Sequence, residues 1–587
     1  MKKFLFVAAA MTMATAMAEV TPGPFVYPAA WSADAPKEAK RGGELRLSAF
    51  SDFRTFNPFT SSEANSIPQR MGTGASLFTQ DPRTDDFIPL MAASDPVVSN
   101  NGKRFVVTLR RGMQFSDGQE ITADDFVSTM NIHKDEKVGS NSYATFFLAN
   151  KPITIKKLGT YQLQFDFPSV SSSALSRMSF TPQPDHIFGK AYREGGAEAI
   201  KKLWTLNEPA RNIVSAGMWV VDSYRAGERT VFRKNPNFGE WNKDSAGNAL
   251  PYLDRMSVAI VKDSNAEIAA FVAGDLDIGN AATADQLSQI QRAVQGGNLK
   301  ATIIANVSPN ATSSWITFNW NQADNPFKQK LFRDVRFRRA MSHLADRDAM
   351  VRLAFGGLGT PAYFSTYPIF ARNWAPASVP RYEYNIEEAQ KLLAQIGFSK
   401  KDSEGYLVDK SGRRLEFNLV TNAGNNQREQ LMRIFADTAK RAGVKVNAQA
   451  IDFNVLVSQL TSTGANRPFD AILLGLSGGT NIYPAGGSNV TPCDSNLHSW
   501  NRAGKCLVSQ EQLMEKLYFQ GDAELNLAKR KQIAAQQLKV ESELQPVIYL
   551  AGTNFHVVYN TRLGGEMPRN LMDAYNGSRY QALTYIK

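Results

Sequence analysis

Hydrophobic and polar positions alternate in several short runs along this chain, and each run ends in a turn signal or passes into a helical period. After Gly42-Gly43, Leu45, Leu47 and Ala49 alternate with Glu44, Arg46 and Ser48, which predicts a strand with one buried face. Asn57-Pro58 marks a turn inside the irregular stretch 53–59. Phe105, Val107 and Leu109 predict a second strand, and Ser116-Asp117-Gly118 a turn. Thr122 then caps a helix whose first turn places Asp124 and Asp125 beside its positive end. Residues 218–224 and 230–233 flank the polar turn Arg225-Ala226-Gly227-Glu228 and form a predicted strand pair.

Helical spacing dominates further on. Asp334 caps a run in which Phe337, Ala340, Met341 and Leu344 share one face, which puts Arg336, Arg338 and Arg339 on its polar face. Asp346 caps the next helix, which stops at Gly356-Gly357. Asn385 and Glu388 form a capping-box-like pair before Ala389, Leu392, Leu393 and Ile396, with Gly397 as the stop. Strand, helix and strand alternate again over residues 415–474, so the chain is mixed α/β, without internal repeats or low-complexity tracts.

The amino end changes the picture. Met1-Lys2-Lys3, an apolar stretch over residues 4–10 and Ala16-Met17-Ala18 are the three parts of a secretory signal peptide. The apolar stretch is short of the roughly 20 residues that span a bilayer as a helix. Cleavage is expected after Ala18, with residues 19–41 as an extended, Pro- and Ala-rich lead-in. No cysteine near that site offers a lipid anchor, so the expected location is the periplasm or the cell exterior, in soluble form. At 587 residues the chain is too long for one core. The formal charge of +11 is spread out rather than clustered, which argues against nucleic acid as a partner. The two cysteines, Cys493 and Cys506, are expected to pair in an oxidising compartment. A loop of that size gains roughly 3 kcal/mol from closure.

These units, in this order, resemble the family 5 extracellular solute-binding proteins, the oligopeptide- and dipeptide-receptor type that serves ABC importers. The resemblance rests on six stretches in register: Gly42-Gly43-Glu44-Leu45 leading to Phe56-Asn57-Pro58; Phe105 through Gly112 and Phe115-Ser116-Asp117-Gly118 to Asp124-Asp125; Arg233-Lys234-Asn235-Pro236 with Pro251-Tyr252-Leu253-Asp254; Ala273-Gly274-Asp275-Leu276-Asp277; Val335-Arg336 to Asp346-Arg347 and the helix of Leu392-Leu393; and Pro546-Val547-Ile548-Tyr549. It implies a two-lobed, periplasmic-binding-protein-like α/β fold with a small domain inserted in the first lobe. Lobe one maps to 42–80, 205–310 and 548–587, the inserted domain to 81–204, and lobe two to 311–547, with the ligand between the lobes. The implied partners are a peptide or an oligosaccharide and the permease subunits, which form the link to the membrane.

Candidate chemistry is sparse. His133, His186, His343, His498 and His556 are scattered, and no zinc-protease motif or phosphate loop occurs. No metal or other cofactor is expected, and the chain reads as a binder rather than an enzyme. Gly475-Leu476-Ser477-Gly478-Gly479 matches the G-x-S-x-G elbow of hydrolases, with Asp522 and His556 downstream in the right order. The residues after it have no helical period, so the competing reading, a secreted serine hydrolase using Ser477, lacks its helix. A Gly-rich loop after a strand instead lets a ligand reach the backbone, and the resemblance puts this loop on the second lobe's wall of the cleft. Peptide receptors of the family usually carry a Trp and an Asp here, where this chain has Leu476 and Gly479. A subgroup with Gly-x-Asn and His-x-Trp after the loop is the better match, through Gly487-Ser488-Asn489 and His498-Ser499-Trp500. The other expected wall residues are Phe50 and Phe53 after the first strand, and Trp315, Asn319 and Trp320 at the crossing into lobe two. Two outcomes are expected of the exported protein: an intact mass that begins at Glu19, and no reactive thiol after unfolding without reductant. Two titratable thiols would refute the Cys493–Cys506 bridge.

Overall fold

Helix starts in this chain are set by short polar side chains that accept hydrogen bonds from free N–H groups of the first turn. The computed structural model describes residues 23–27, 41–62, 66–81, 86–309, 314–364, 377–476, 487–565 and 578–587. Asp334 accepts from the Arg336 N–H at 2.9 Å, Asp346 from Ala349 at 2.9 Å and Asn385 from Glu388 at 3.0 Å. The helices they begin, Val335–His343, Arg347–Ala354 and Ile386–Gln395, lie where the spacing predicts them. Thr122 and Asp125 close a capping box before Ala123–His133. The Asn385–Glu388 pair forms only half a box, because the Glu388 carboxylate turns outward to Lys391 at 2.6 Å.

The first lobe is built on a four-stranded sheet in the order Trp219–Arg225, Arg229–Lys234, Arg255–Ile260, Glu44–Ala49, with the last pair parallel. A second antiparallel sheet, in the order Val97–Ser99, Arg104–Thr108, Gln162–Asp166, Thr154–Gly159, carries the inserted segment. The insertion does not keep a core of its own. Phe105, Phe126, Met130 and Phe188 belong to the same buried cluster as Trp219, Phe232 and Met256. The lead-in also contributes more than expected: Phe25–Val26 pairs in parallel with Asn242–Lys243, and Phe25 and Tyr27 are buried in that cluster. Arg110 holds this strand by lying over the Phe25 ring at 5.6 Å and donating to the Gly23 carbonyl at 2.7 Å.

A smaller cluster of Ile268, Phe271, Leu276, Ile290 and Val558 sits against the long antiparallel pair Ala301–Pro309 and Ala551–Asn560. Asp277 ties it to the first strand. This fully buried carboxylate accepts from the Arg46 backbone at 2.7 Å, from the Arg46 guanidinium at 3.0 Å and from Arg562 at 2.6 and 2.5 Å. Two guanidinium groups on one carboxylate satisfy most of its lone pairs, the condition under which a buried charge is tolerated.

The second lobe carries a five-stranded sheet in the order Lys445–Ile451, Glu416–Asn422, Ala471–Gly475, Ser314–Phe318, Val547–Tyr549. Two expectations are corrected here. Val547–Tyr549, placed at the return to lobe one, instead forms the edge strand of this sheet, pairing Tyr549 with Trp315 and Val547 with Thr317. Arg338 is not on a polar face: it is buried over the Trp320 ring at 4.3 Å, donating to the carbonyls of Phe332, Leu544 and Gln545. Arg339 donates to the Glu543 carbonyl, and of the three only Arg336 turns outward, to Asp334. The carbonyls left over at the end of the helix Leu527–Leu544 attract these cations. Cys493 and Cys506 are joined in a disulfide, with Cα atoms 5.0 Å apart.

Glu541 on the Leu527–Leu544 helix is buried; one of its oxygens accepts from the Tyr549 hydroxyl and the other has no partner among the described residues. Burial raises its pKa from 4.5 to about 7, against the weaker pull of the Tyr549 bond. The folded pKa lies above the unfolded one, so the contribution to stability is full below the unfolded value and is lost as pH rises through about 7. Glu541→Gln keeps an acceptor for Tyr549 without a charge. It is expected to stabilise the protein by about 3 kcal/mol above pH 8 and to change little near pH 4, at ~1.4 kcal/mol per pKa unit. Denaturant melts at the two pH values test this, and equal effects at both would overturn it.

Candidate functional site

Three neighbouring strands of the second lobe, ending at Ile451, Asn422 and Gly475, run parallel, so their carboxyl ends share one edge. Ligands of open α/β sheets lie outside such edges. Here Ala423, Gly424, Asp452, Phe453 and Asn454 face Phe50, Ser51, Asp52, Gly227, Lys262 and Asp263 of the first lobe across a cavity of about 410 Å³. Phe50 meets Phe453 edge-to-face, with ring centroids 4.6 Å apart.

The charges around this cavity are held by local bonds. One oxygen of Asp52 accepts from the Tyr224 hydroxyl at 2.9 Å and the Gly227 N–H at 2.6 Å, and the other from the Phe53 N–H at 2.8 Å. Burial, then the Asp52 carboxylate beside it, pushes the Tyr224 hydroxyl well above its ordinary pKa. Asp263 and Asp452 cap the helices Ser264–Val272 and Phe453–Thr461, each spending one oxygen on two backbone N–H groups. The second oxygen of each has no hydrogen bond among the described residues.

The lobes touch on both flanks of the cavity. On the near side the Ser264 N–H donates to the Gly424 carbonyl at 3.3 Å, and the Asn426 amide to the Ser264 hydroxyl at 3.0 Å. On the far side Asp522 accepts from Ser171 at 2.9 Å, Ser173 at 2.5 Å and Arg177 at 3.3 Å, all on the inserted segment. Nearby, the Asn496 amide donates to the Ser140 carbonyl at 2.6 Å.

The expected wall residues divide. Phe50 lines the cavity. Gly475 ends its strand opposite Ser314, and Leu476 borders a small recess with Trp315 and Leu497. Ser477, Gly478 and Gly479 lie outside the described residues. Asn489 is half-buried in the short helix Gly487–Val490, its carbonyl accepting from the Leu497 N–H. The remaining six are corrected to interior positions. Phe53 is 5% exposed and packs in the first-lobe core. Asn319 is fully buried, its amide donating to the carbonyls of Arg467 and Phe469. Trp320 lies beneath Arg338. Trp500, expected as a stacking surface, is 3% exposed and donates its indole N–H to Glu511 at 2.8 Å. His498 is buried between the Val490 carbonyl at 2.8 Å and Glu511 at 3.1 Å. Trp315 is itself 1% exposed, meeting the recess only at its edge.

Glu511 is what draws His498 and Trp500 inward. Burial alone would raise its carboxyl, but bonds from His498, the Leu507 N–H and Trp500 hold it below the usual range. The hydrolase reading loses its partners as well. Asp522 is spent on Ser171, Ser173 and Arg177, while the His556 ring accepts the Asn306 N–H at 2.8 Å. Sequence reasoning missed Asp52, Lys262, Asp263 and Asp452, although Asp before a helical run was visible at the last two as a cap signal.

Two hydrophobic cores joined by paired strands, with a charged cavity between them, define a two-lobed binding protein. Residues 86–494 match the bacterial extracellular solute-binding proteins, family 5, and the chain belongs to that family. It is 42% identical, over 100% of both chains, to a probable ABC transporter-binding protein of Deinococcus radiodurans. Its fold matches the oligopeptide-binding protein AppA of Bacillus subtilis in complex with a nonapeptide, with a TM-score of 0.76 at 22% identity, covering 94% of this chain and 100% of that one. It also matches the periplasmic binding protein MelB of Agrobacterium fabrum C58 in complex with stachyose, with a TM-score of 0.80 at 20% identity, covering 96% and 87%.

Gly424 lies close against the first lobe in this seam. Its φ is +80°, and a Cβ there would lie 1.9 Å from the Lys262 carbonyl oxygen. Gly424→Val is therefore expected to hold the lobes apart, raising the radius of gyration in solution scattering. The left-handed backbone adds a local strain of about 1–2 kcal/mol. An unchanged scattering curve would mean that the seam yields without opening.

Proposed function

We propose that this chain is the substrate-binding subunit of an ABC importer and that a peptide lies between its lobes. The observation that carries this reading is the charge of the interlobe cavity, where Asp52, Asp263 and Asp452 face the space together with Lys262 beside the Phe50–Phe453 pair. Peptide termini are charged, and an ammonium taken out of water without a partner is costly. A charge-assisted bond to a carboxylate is worth about 1.5–3 kcal/mol; sugar hydroxyls make such bonds too, but only a charged ligand group also neutralises the carboxylate. The carboxylates of the cavity supply what the loop at Gly479 lacks. Likeness to AppA supports the peptide, and likeness to MelB with stachyose favours oligosaccharide as the second reading.

In this reading the signal peptide is cleaved after Ala18, the mature protein acts outside the cytoplasm, and the loaded, closed lobes dock on permease subunits. Mass spectrometry of the ligand released when the purified protein is unfolded tests the assignment. A peptide is the expected result. An oligosaccharide would leave the fold and family standing and remove the peptide.

A further inference from the structure

Asp522 ends the helix Ser509–Asp522 of the second lobe, whose Met514 and Leu517 lie in that lobe's core. It is buried, yet among the described residues every hydrogen bond to its carboxylate comes from the inserted segment of the first lobe. The donors are Ser171 Oγ at 2.9 Å, Ser173 Oγ at 2.5 Å and Arg177 Nη2 at 3.3 Å. The Ser172 N–H adds a main-chain bond to the Asp522 carbonyl at 2.6 Å. Arg177 belongs to the other core. It stands in the short helix Ala174–Met178, whose Ala174 and Met178 pack in the first-lobe cluster. There it donates to the Thr145 carbonyl at 2.6 Å and to Ser173 Oγ at 2.9 Å.

A buried ion pair that straddles two movable bodies has unequal effects on their two arrangements. With the lobes together, loss of one partner leaves the other charge buried and uncompensated, which is strongly destabilising. With the lobes apart, water reaches both groups, and the same loss costs little. The opposite flank has no such pair: around Ser264 it is held by amide and hydroxyl bonds. The far flank is therefore where a change of one side chain acts on closure alone.

We propose that Arg177 and Asp522 form a latch that fastens the inserted segment to the second lobe and sets how firmly the protein stays closed. Neither residue lines the interlobe cavity. They are positioning residues, which act on a ligand by keeping the two walls of the cavity together, whatever the ligand is.

Hydrogen–deuterium exchange of the whole protein, read by fragmentation mass spectrometry, follows one amide on each flank. These are Ser172, bonded to the Asp522 carbonyl, and Ser264, bonded to the Gly424 carbonyl. Both are expected to be protected in wild type. Arg177→Met strands the Asp522 carboxylate and is expected to speed exchange at both amides by at least about a hundredfold, because the lobes part as units. Adding Asp522→Asn removes the stranded charge and keeps an acceptor for the serines, so the double variant is expected to recover most of the protection on both flanks. Faster exchange at Ser172 alone makes the pair a local brace of the inserted segment and overturns the latch. So does a double variant that exchanges as fast as Arg177→Met, or a wild type without protection at Ser172. Should Arg177→Met fail to fold, Asp522→Asn alone decides: a gain at both amides supports the latch, and an unchanged Ser264 refutes it.

Discussion

The two cores of this protein are tied together by strands bonded to each other on both sides of the crossing. On the first-lobe side Ala301–Pro309 pairs with Ala551–Asn560, and on the second-lobe side Ser314–Phe318 pairs with Val547–Tyr549. Between them the Leu550 N–H donates to the Ser314 carbonyl at 2.9 Å. Antiparallel pairing through the crossing limits relative motion to bending and twisting about these strands, the hinge behaviour of two-lobed binders. It also determines which edge of the second-lobe sheet faces the first lobe, and so where a cavity can exist.

Arginines fasten the elements around that hinge by gripping carbonyls rather than carboxylates. Arg347 is buried and donates to the carbonyls of Ala362 and Tyr549, beside the crossing strand. Arg467 donates to the carbonyls of Ser499, at 2.7 Å, and of Leu460, fastening the loop closed by the disulfide to the helix Phe453–Thr461. A buried guanidinium with several acceptors satisfies backbone groups that the ends of helices and strands leave open.

The seam between the lobes uses weaker chemistry. Its near flank is made of amide and hydroxyl bonds of 3.0 to 3.3 Å around Ser264, together with one aromatic contact. The far flank is ionic, at Asp522 and Arg177. Bonds like those of the near flank exchange readily for bonds to water, whereas Asp522 and Arg177 are both buried and must regain water when the lobes part. The carboxylates of Asp263 and Asp452 keep one oxygen uncommitted because each is placed by its role as a helix cap.

The sequence by itself determined the elements and the family. Caps at Asp334, Asp346 and Asn385, the hairpin at Arg225-Ala226-Gly227-Glu228 and six motifs in register depend on local hydrogen bonding and side-chain period, which neighbouring residues carry. It also pointed to the cysteine pair, as the two cysteines of a chain expected to be exported, and the fold joins them. What it could not convey was burial on a shared surface. Trp500, His498 and Asn319 read as wall residues because aromatic and amide side chains serve cores and clefts alike. Only tertiary packing brought Glu511 to Trp500 and His498, and the Phe469 carbonyl to Asn319. The cavity was beyond local reading for the same reason: Asp52, Asp263, Asp452 and Gly424 come from two cores, and only the closing of one lobe on the other makes them a site.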